Sequence, residues 1–272
     1  MRGVLLGILL LGLWSAVVWG MGPVEVVATS AVLADLVRQV GGDAVQVVTI
    51  IPPGFCPAHY DLKPSDLLAV SRAELVLYHG FEPWLEKFLA HANPSATVVP
   101  LKGPWNTPEA LEGKAQEIGS ILGKLRPQLA ERFASSASSY VAKVRELAEE
   151  LSARAQALSL GEVPAIVMQW QADFVRWLGL KIVATYPPEE RLYLRDLSRL
   201  VAQGKEAGVL LVIDNLQSGI SFGAKLAHAL GAMHVVLTNF PGAIPGTVDL
   251  LSMLRVNAEA VFSAVEALRS GP

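Results

Sequence analysis

QLAERFASSASSYVAKVRELAEELSARAQAL, residues 128–158, places Leu129, Phe133, Ala137, Tyr140, Val144, Leu147, Leu151, Ala155 and Leu158 every three or four residues. That spacing lays one apolar stripe along one face of a helix. A helix continuous from Gln128 runs about 45 Å at 1.5 Å per residue, enough to span two lobes. An ordinary surface helix has the same periodicity. The position of this one, midway between two groups of strands, predicts a connecting spine.

On the amino-terminal side the strand candidates are Val24 to Ala28, Val45 to Ile51, Leu75 to Tyr78 and Thr97 to Leu101. On the carboxyl-terminal side they are Ala165 to Met168, Lys181 to Ala184, Val209 to Ile213 and His234 to Leu237. Helical patterns separate them at Ala31 to Val40, Ser65 to Arg72, Pro83 to His91, Gly219 to Leu230 and Val248 to Leu268. Strands alternating with helices predict parallel sheets. The expected class is therefore α/β, with two parallel-sheet lobes joined by one long helix. Its divisions are an export signal at 1–20, an N-terminal lobe at 21–126, a spine at 127–159 and a C-terminal lobe at 160–272.

The chain opens with Met1 and Arg2, an apolar run from Val4 to Val18, and the small residue Gly20. This reads as a secretory signal, with the mature protein starting near Met21 or Gly22. An uncleaved anchor is the alternative, but the run falls short of the ~20 residues a spanning helix needs. No cysteine follows the run, so a lipid anchor is not expected and the predicted location is periplasmic. About 250 residues then remain, enough for two lobes with their own cores. With a net charge of −3 the chain has no basic stripe for phosphate neutralisation, which argues against nucleic acid as a partner. Cys56 is the only cysteine, so no intrachain disulfide can form.

The segment from Ile51 to Pro64 is stiffened by Pro52, Pro53, Gly54, Pro57 and Pro64, and it follows a strand directly. Ligands of open α/β sheets bind beyond the carboxyl ends of strands. Cys56 and His59 lie three apart in this loop, a separation at which a thiolate and an imidazole can reach one soft or borderline ion such as zinc or copper. Such two-donor pairs also occur by chance, and a cysteine is often a small buried hydrophobe. Asp61 fits as a ligand, as an orienter of His59, or as a helix cap. His79, His91, His228 and His234 read as structural histidines. In the second half Gln169, Trp170, Gln171 and Asp173 follow a strand, as do Asp214 and Asn239, and these groups suit cargo binding. Core packing for Trp170 and turn formation for Asp214 and Asn239 compete with that reading. No Gly-x-Ser-x-Gly elbow, Walker loop, Gly-x-Gly-x-x-Gly or His-Glu-x-x-His occurs, so a binding module is expected rather than an enzyme.

Val27 to Val37 with Val40-Gly41-Gly42-Asp43, then Pro64-Ser65-Asp66, Glu82-Pro83-Trp84-Leu85 and Leu254-Arg255-Val256-Asn257, match in order and spacing one known family. The chain resembles the metal-binding solute receptors of ABC importers for zinc and manganese. The resemblance implies metal held between two lobes and delivery to a membrane permease, most simply by a monomer. The family's ligands do not carry over. Its loop reads Asp-Pro-His-x-Tyr-Glu-Pro, against Cys56-Pro57-Ala58-His59-Tyr60-Asp61-Leu62 here. The second ligand position falls at Gly103 beside Trp105, the third near Met168 or Gln169, and the fourth at Thr238 or Asn239. The resemblance therefore implies either a site rebuilt around Cys56 and His59 or a cargo that is not a bare ion. The latter is a metal complex or organic molecule bound by Trp105, Trp170, Gln169, Gln171 and Asn239. An exported enzyme or structural protein that kept only the scaffold is the reading from another class.

Overall fold

A computed structural model describes residues 22–82, 85 and 93–270. The export signal and, apart from Leu85, the helix expected at Pro83 to His91, with Trp84 and His91, lie outside the described residues. The N-terminal lobe is a sheet of β1 (Val24–Ala28), β2 (Val45–Thr49), β3 (Leu75–Tyr78) and β4 (Thr97–Pro100) in the order β2-β1-β3-β4. The C-terminal lobe repeats that plan with β5 (Pro164–Met168), β6 (Lys181–Tyr186), β7 (Leu211–Asn215) and β8 (Met233–Leu237) in the order β6-β5-β7-β8. Every pairing is parallel. In each lobe the chain order turns back between the two inner strands. That places a switch-point crevice at the carboxyl ends of β1 and β3, and another at those of β5 and β7.

Helix α1 (Ala31–Gly41) begins where the Ser30 hydroxyl accepts the N–H of Leu33. In α2 (Pro64–Arg72), Asp66 accepts the N–H of Lys63 at 2.8 Å and the hydroxyl proton of Tyr60 at 3.0 Å. Asp66, not Asp61, therefore supplies the cap. Burial and the Asp66 carboxylate push the Tyr60 phenol up to about 12.

The spine is α4 (Ala130–Ala157), and the stretch before it folds as a helix of its own, α3 (Pro108–Leu125), capped by Thr107 and opened by proline. The two helices form an antiparallel hairpin. Gly123 meets Ala130, Gly119 meets Ala137 and Phe133, and Arg145 reaches Glu112. A side chain at Gly119 or Gly123 would crowd this seam.

Four more helices complete the described fold, namely α5 (Ala172–Leu178), α6 (Leu194–Glu206), α7 (Ser221–Leu230) and α8 (Leu250–Ser270). One buried apolar cluster runs from Val26, Leu33 and Leu77, through Phe133, Val144 and Leu151 of the spine, to Val167, Phe174, Ile213 and Leu254. Smaller clusters cover the outer sheet faces. A core shared by both lobes and threaded by a continuous helix limits hinge opening more than flexible linkers would. Among the described residues no helix is long and apolar enough to cross a membrane.

Candidate functional site

Thr29 and Ser30 follow β1 and His79 follows β3, so the three side chains share the N-terminal crevice. Glu82 fixes the backbone there. Its carboxylate accepts the N–H groups of His79 at 2.9 Å, Gly80 at 2.9 Å and Phe81 at 3.0 Å, and the Thr29 hydroxyl at 2.7 Å. Gly80, at φ 93°, permits this turn. His79 is 3% exposed, and its Nε2 lies 2.7 Å from Ser30 Oγ. Burial, reinforced by the positive charge of Lys114, pushes the imidazole down to about 3, so the ring is neutral at physiological pH. Its ring stacks on Phe81 at 5.2 Å and lies 4.3 Å from the ring of Trp105.

Trp105 sits on the loop after β4. Lys114, buried on α3, donates from Nζ to the carbonyls of Leu101 at 3.1 Å and Lys102 at 2.7 Å, and so clamps the base of this loop. Burial lowers the pKa of the ammonium.

In the C-terminal crevice the polar side chains form an amide network. Gln171 is 0% exposed, and its Nε2 donates to Asn215 Oδ1 at 3.0 Å and Asn239 Oδ1 at 3.1 Å. Asn239 donates in turn to the Trp170 carbonyl at 3.1 Å. The crevices meet across a seam. Trp105 Nε1 donates to the Asn239 carbonyl at 2.8 Å, and Asn106 Nδ2 donates to the Trp170 carbonyl at 2.9 Å and to Asn239 Oδ1 at 3.2 Å. Gln217 Nε2 donates to the Pro53 carbonyl at 3.2 Å, and Phe240 packs 5.8 Å from the ring of Trp105.

Of the residues singled out in the sequence, Trp105, Trp170, Gln171 and Asn239 come together at this seam. Cys56 is half-buried and His59 exposed, flanking a short turn in which the His59 N–H donates to the Cys56 carbonyl at 3.1 Å. Among the described residues no group of three or more His, Cys, Asp or Glu is placed to hold a metal ion. Asp61 is exposed, and Gln169 is half-buried. Asp173 faces solvent and pairs with Arg176 at 2.9 Å. Asp214 is directed away from the amide network, to the Tyr186 hydroxyl at 2.5 Å and His234 Nε2 at 2.7 Å, and its neighbour Asn215 meets Gln171 instead. Burial raises the Asp214 pKa, and the two hydrogen bonds offset part of that shift. His79, whose place at the end of a strand lets it face the crevice, reads from sequence as structural instead, and Glu82, Asn106, Lys114, Asn215 and Gln217 escape the sequence reading as members of the site. For Asn215 the available signal is position at the end of an inner strand.

The family model described as zinc-uptake complex component A, periplasmic, matches residues 26–264. The metal ABC transporter substrate-binding lipoprotein FimA of Streptococcus parasanguinis is 32% identical over 78 residues, which are 26% of this chain and 25% of that protein. The iron-binding protein YfeA of Yersinia pestis is 28% identical over 161 residues, 52% of this chain and 50% of that protein. The chain thus spans between about a quarter and a half of the length of these curated relatives. A crystal structure of ZnuA superposes with a TM-score of 0.76 at 24% identity, covering 89% of this chain and 99% of that one. A manganese-bound periplasmic metal binding protein from Candidatus Liberibacter asiaticus gives 0.79 at 15% identity, covering 88% and 98%. At these identities the two structures attest the fold alone.

Proposed function

This chain belongs to the family of periplasmic zinc-uptake component A proteins, and on that premise we propose that it is the exported substrate-binding component of an ABC importer. In this reading it takes up a transition-metal cargo between its lobes in the periplasm and, as a monomer, hands it to a membrane permease. The observation that carries the proposal is the family match over residues 26–264, joined to a seam at which the strand ends of both lobes converge. The names of relatives, among them manganese and iron binders, support a metal cargo without choosing one.

Two readings of the cargo follow. In the first, Cys56 and His59 bind a bare zinc or copper ion and the far lobe completes the shell. A thiolate and an imidazole suit those ions better than manganese. In the second, the cargo arrives as a complex with ligands of its own. The amide and aromatic lining of the seam favours this, together with the lack of a three-donor group among the described residues, because neutral amides are weak ligands for a bare transition ion.

Both readings are tested by elemental analysis and intact-mass measurement of protein taken from its native periplasm without a chelating tag. The expected result is a transition metal in near-stoichiometric amount on a chain lacking residues 1–20. A metal-free protein that takes up neither zinc, copper nor manganese, bare or chelated, overturns the proposal.

A further inference from the structure

Three side-chain polar atoms are buried without a hydrogen-bond partner among the described residues, His79 Nδ1, Gln171 Oε1 and Tyr140 OH. The tyrosine belongs to the middle of α4. The other two occupy equivalent places, for His79 follows inner strand β3 and Gln171 follows inner strand β5, each at the switch-point crevice of its own lobe. They also end one chain of contacts across the seam. The His79 ring lies 4.3 Å from that of Trp105, the indole N–H of Trp105 is on the Asn239 carbonyl, and Asn239 Oδ1 accepts from Gln171. An unsatisfied buried polar group costs about 1–3 kcal/mol. Two of them at the ligand ends of facing sheets point to atoms that serve a ligand.

Their chemistry is complementary. Ser30 Oγ accepts the Leu33 N–H and lies 2.7 Å from His79 Nε2, and the tautomer in which the hydroxyl donates to Nε2 gives its proton an acceptor. In that tautomer His79 Nδ1 carries the ring proton and is a donor. Gln171 commits its amide nitrogen to Asn215 and Asn239, which leaves Oε1 as an acceptor. Trp105, Phe81 and Phe240 add flat apolar faces.

We propose that the seam between His79 and Gln171 binds a carboxylate-bearing chelate of a divalent metal. A carboxylate oxygen accepts from His79 Nδ1–H, and a metal-bound water or chelator N–H donates to Gln171 Oε1. Trp105 is the lid that leaves the Asn239 carbonyl to admit the cargo. This rests on the second reading of the cargo and names its polar handles.

The test titrates the full mature chain by calorimetry and tryptophan fluorescence with zinc citrate, zinc chloride and citrate alone. Zinc citrate is expected to bind roughly tenfold or more tighter than either other probe, with a change in emission that Trp105→Phe largely removes. Gln171→Leu is expected to weaken zinc citrate roughly tenfold. Because that change also cuts the bonds to Asn215 and Asn239, the Trp105→Phe fluorescence arm, which loses only the indole bond to the Asn239 carbonyl and keeps the side-chain bonds among Gln171, Asn215 and Asn239, decides the matter if Gln171→Leu fails to fold. An emission change that survives in Trp105→Phe, or citrate alone binding as well as its zinc complex, overturns the inference. Bare zinc binding that Cys56→Ser with His59→Ala abolishes also overturns it, while leaving the metal-receptor reading intact. Failure of every zinc form to bind overturns the inference, and if copper and manganese, bare or chelated, fail as well, the metal-receptor reading falls with it.

Discussion

Glu82 and His79 are joined through the main chain, the carboxylate of one accepting the backbone N–H of the other at 2.9 Å while the same oxygen takes the Thr29 hydroxyl at 2.7 Å. One buried anion thus gathers four donors and sets the direction in which β3 delivers its imidazole. Glu82→Gln keeps the shape but turns an NH₂ donor toward N–H groups. Charged hydrogen bonds are each worth about 1.5–3 kcal/mol, so the variant should lose about 2–4 kcal/mol in urea unfolding. An unchanged midpoint would show that water supports this turn instead.

The neutral His79 makes stability depend on acidity with a defined sign. Its folded pKa, about 3, lies below the ordinary 6.5. Between those values the unfolded chain binds a proton that the native one refuses, so stability falls as pH drops, by about 1.4 kcal/mol per unit for this one group. Above the ordinary value it contributes no slope. His79→Phe keeps a flat ring and cannot titrate. Measured over pH 3 to 6.5, the parent should lose stability more steeply than the variant, and parallel curves would show a protonated ring in the fold.

Much of this fold can be read from one sequence because its signals are local. The residues of β1 are a short valine-rich run, and the stripe from Phe133 to Ala155 has one period throughout. Helix α3 is harder to separate from α4, since Lys114 and Gly119 interrupt its apolar face for reasons found only in the folded chain. One holds the loop of Trp105, and the other admits Phe133 and Ala137. The site is less legible still. A Cys-x-x-His spacing cannot reveal that the histidine is exposed. In β7 every residue is buried, so alternation alone does not decide whether Asp214 or Asn215 faces the seam.

Gly223 offers a steric check on that orientation of Asp214. A methyl group there would overlap Asp214 Oδ2 and stand 2.5 Å from Cγ and 2.7 Å from the Tyr186 hydroxyl. These atoms are held by hydrogen bonds and cannot retreat singly. Gly223→Ala should therefore destabilise the C-terminal lobe by about 3 kcal/mol, from overpacking and a disrupted buried carboxylate. A melting temperature within a degree or so of the parent's, where about 1 kcal/mol shifts it by ~2–4 °C, would mean that Asp214 occupies another rotamer.

Asp35 tests how the lobes are fastened away from the seam. From α1 its carboxylate accepts the N–H of Leu250, the first residue of α8, at 2.9 Å. A carboxylate at a helix N-terminus is favourable, yet burial raises the Asp35 pKa, and the bonds from Leu250 and Gln39 offset only part of the shift. A carboxyl whose folded pKa is raised contributes stability at low pH and loses it as pH climbs from its unfolded value through its folded one. At neutrality the charge is therefore a net cost, while the acceptor itself is useful. Asp35→Asn keeps an oxygen for Leu250 and sheds the charge, so it should match or exceed the parent's melting temperature near neutral pH, with the advantage shrinking toward acid. Asp35→Ala leaves a buried N–H unpaired and should lose about 1–3 kcal/mol. If both changes destabilise equally at neutral pH, the negative charge at α8 outweighs its burial.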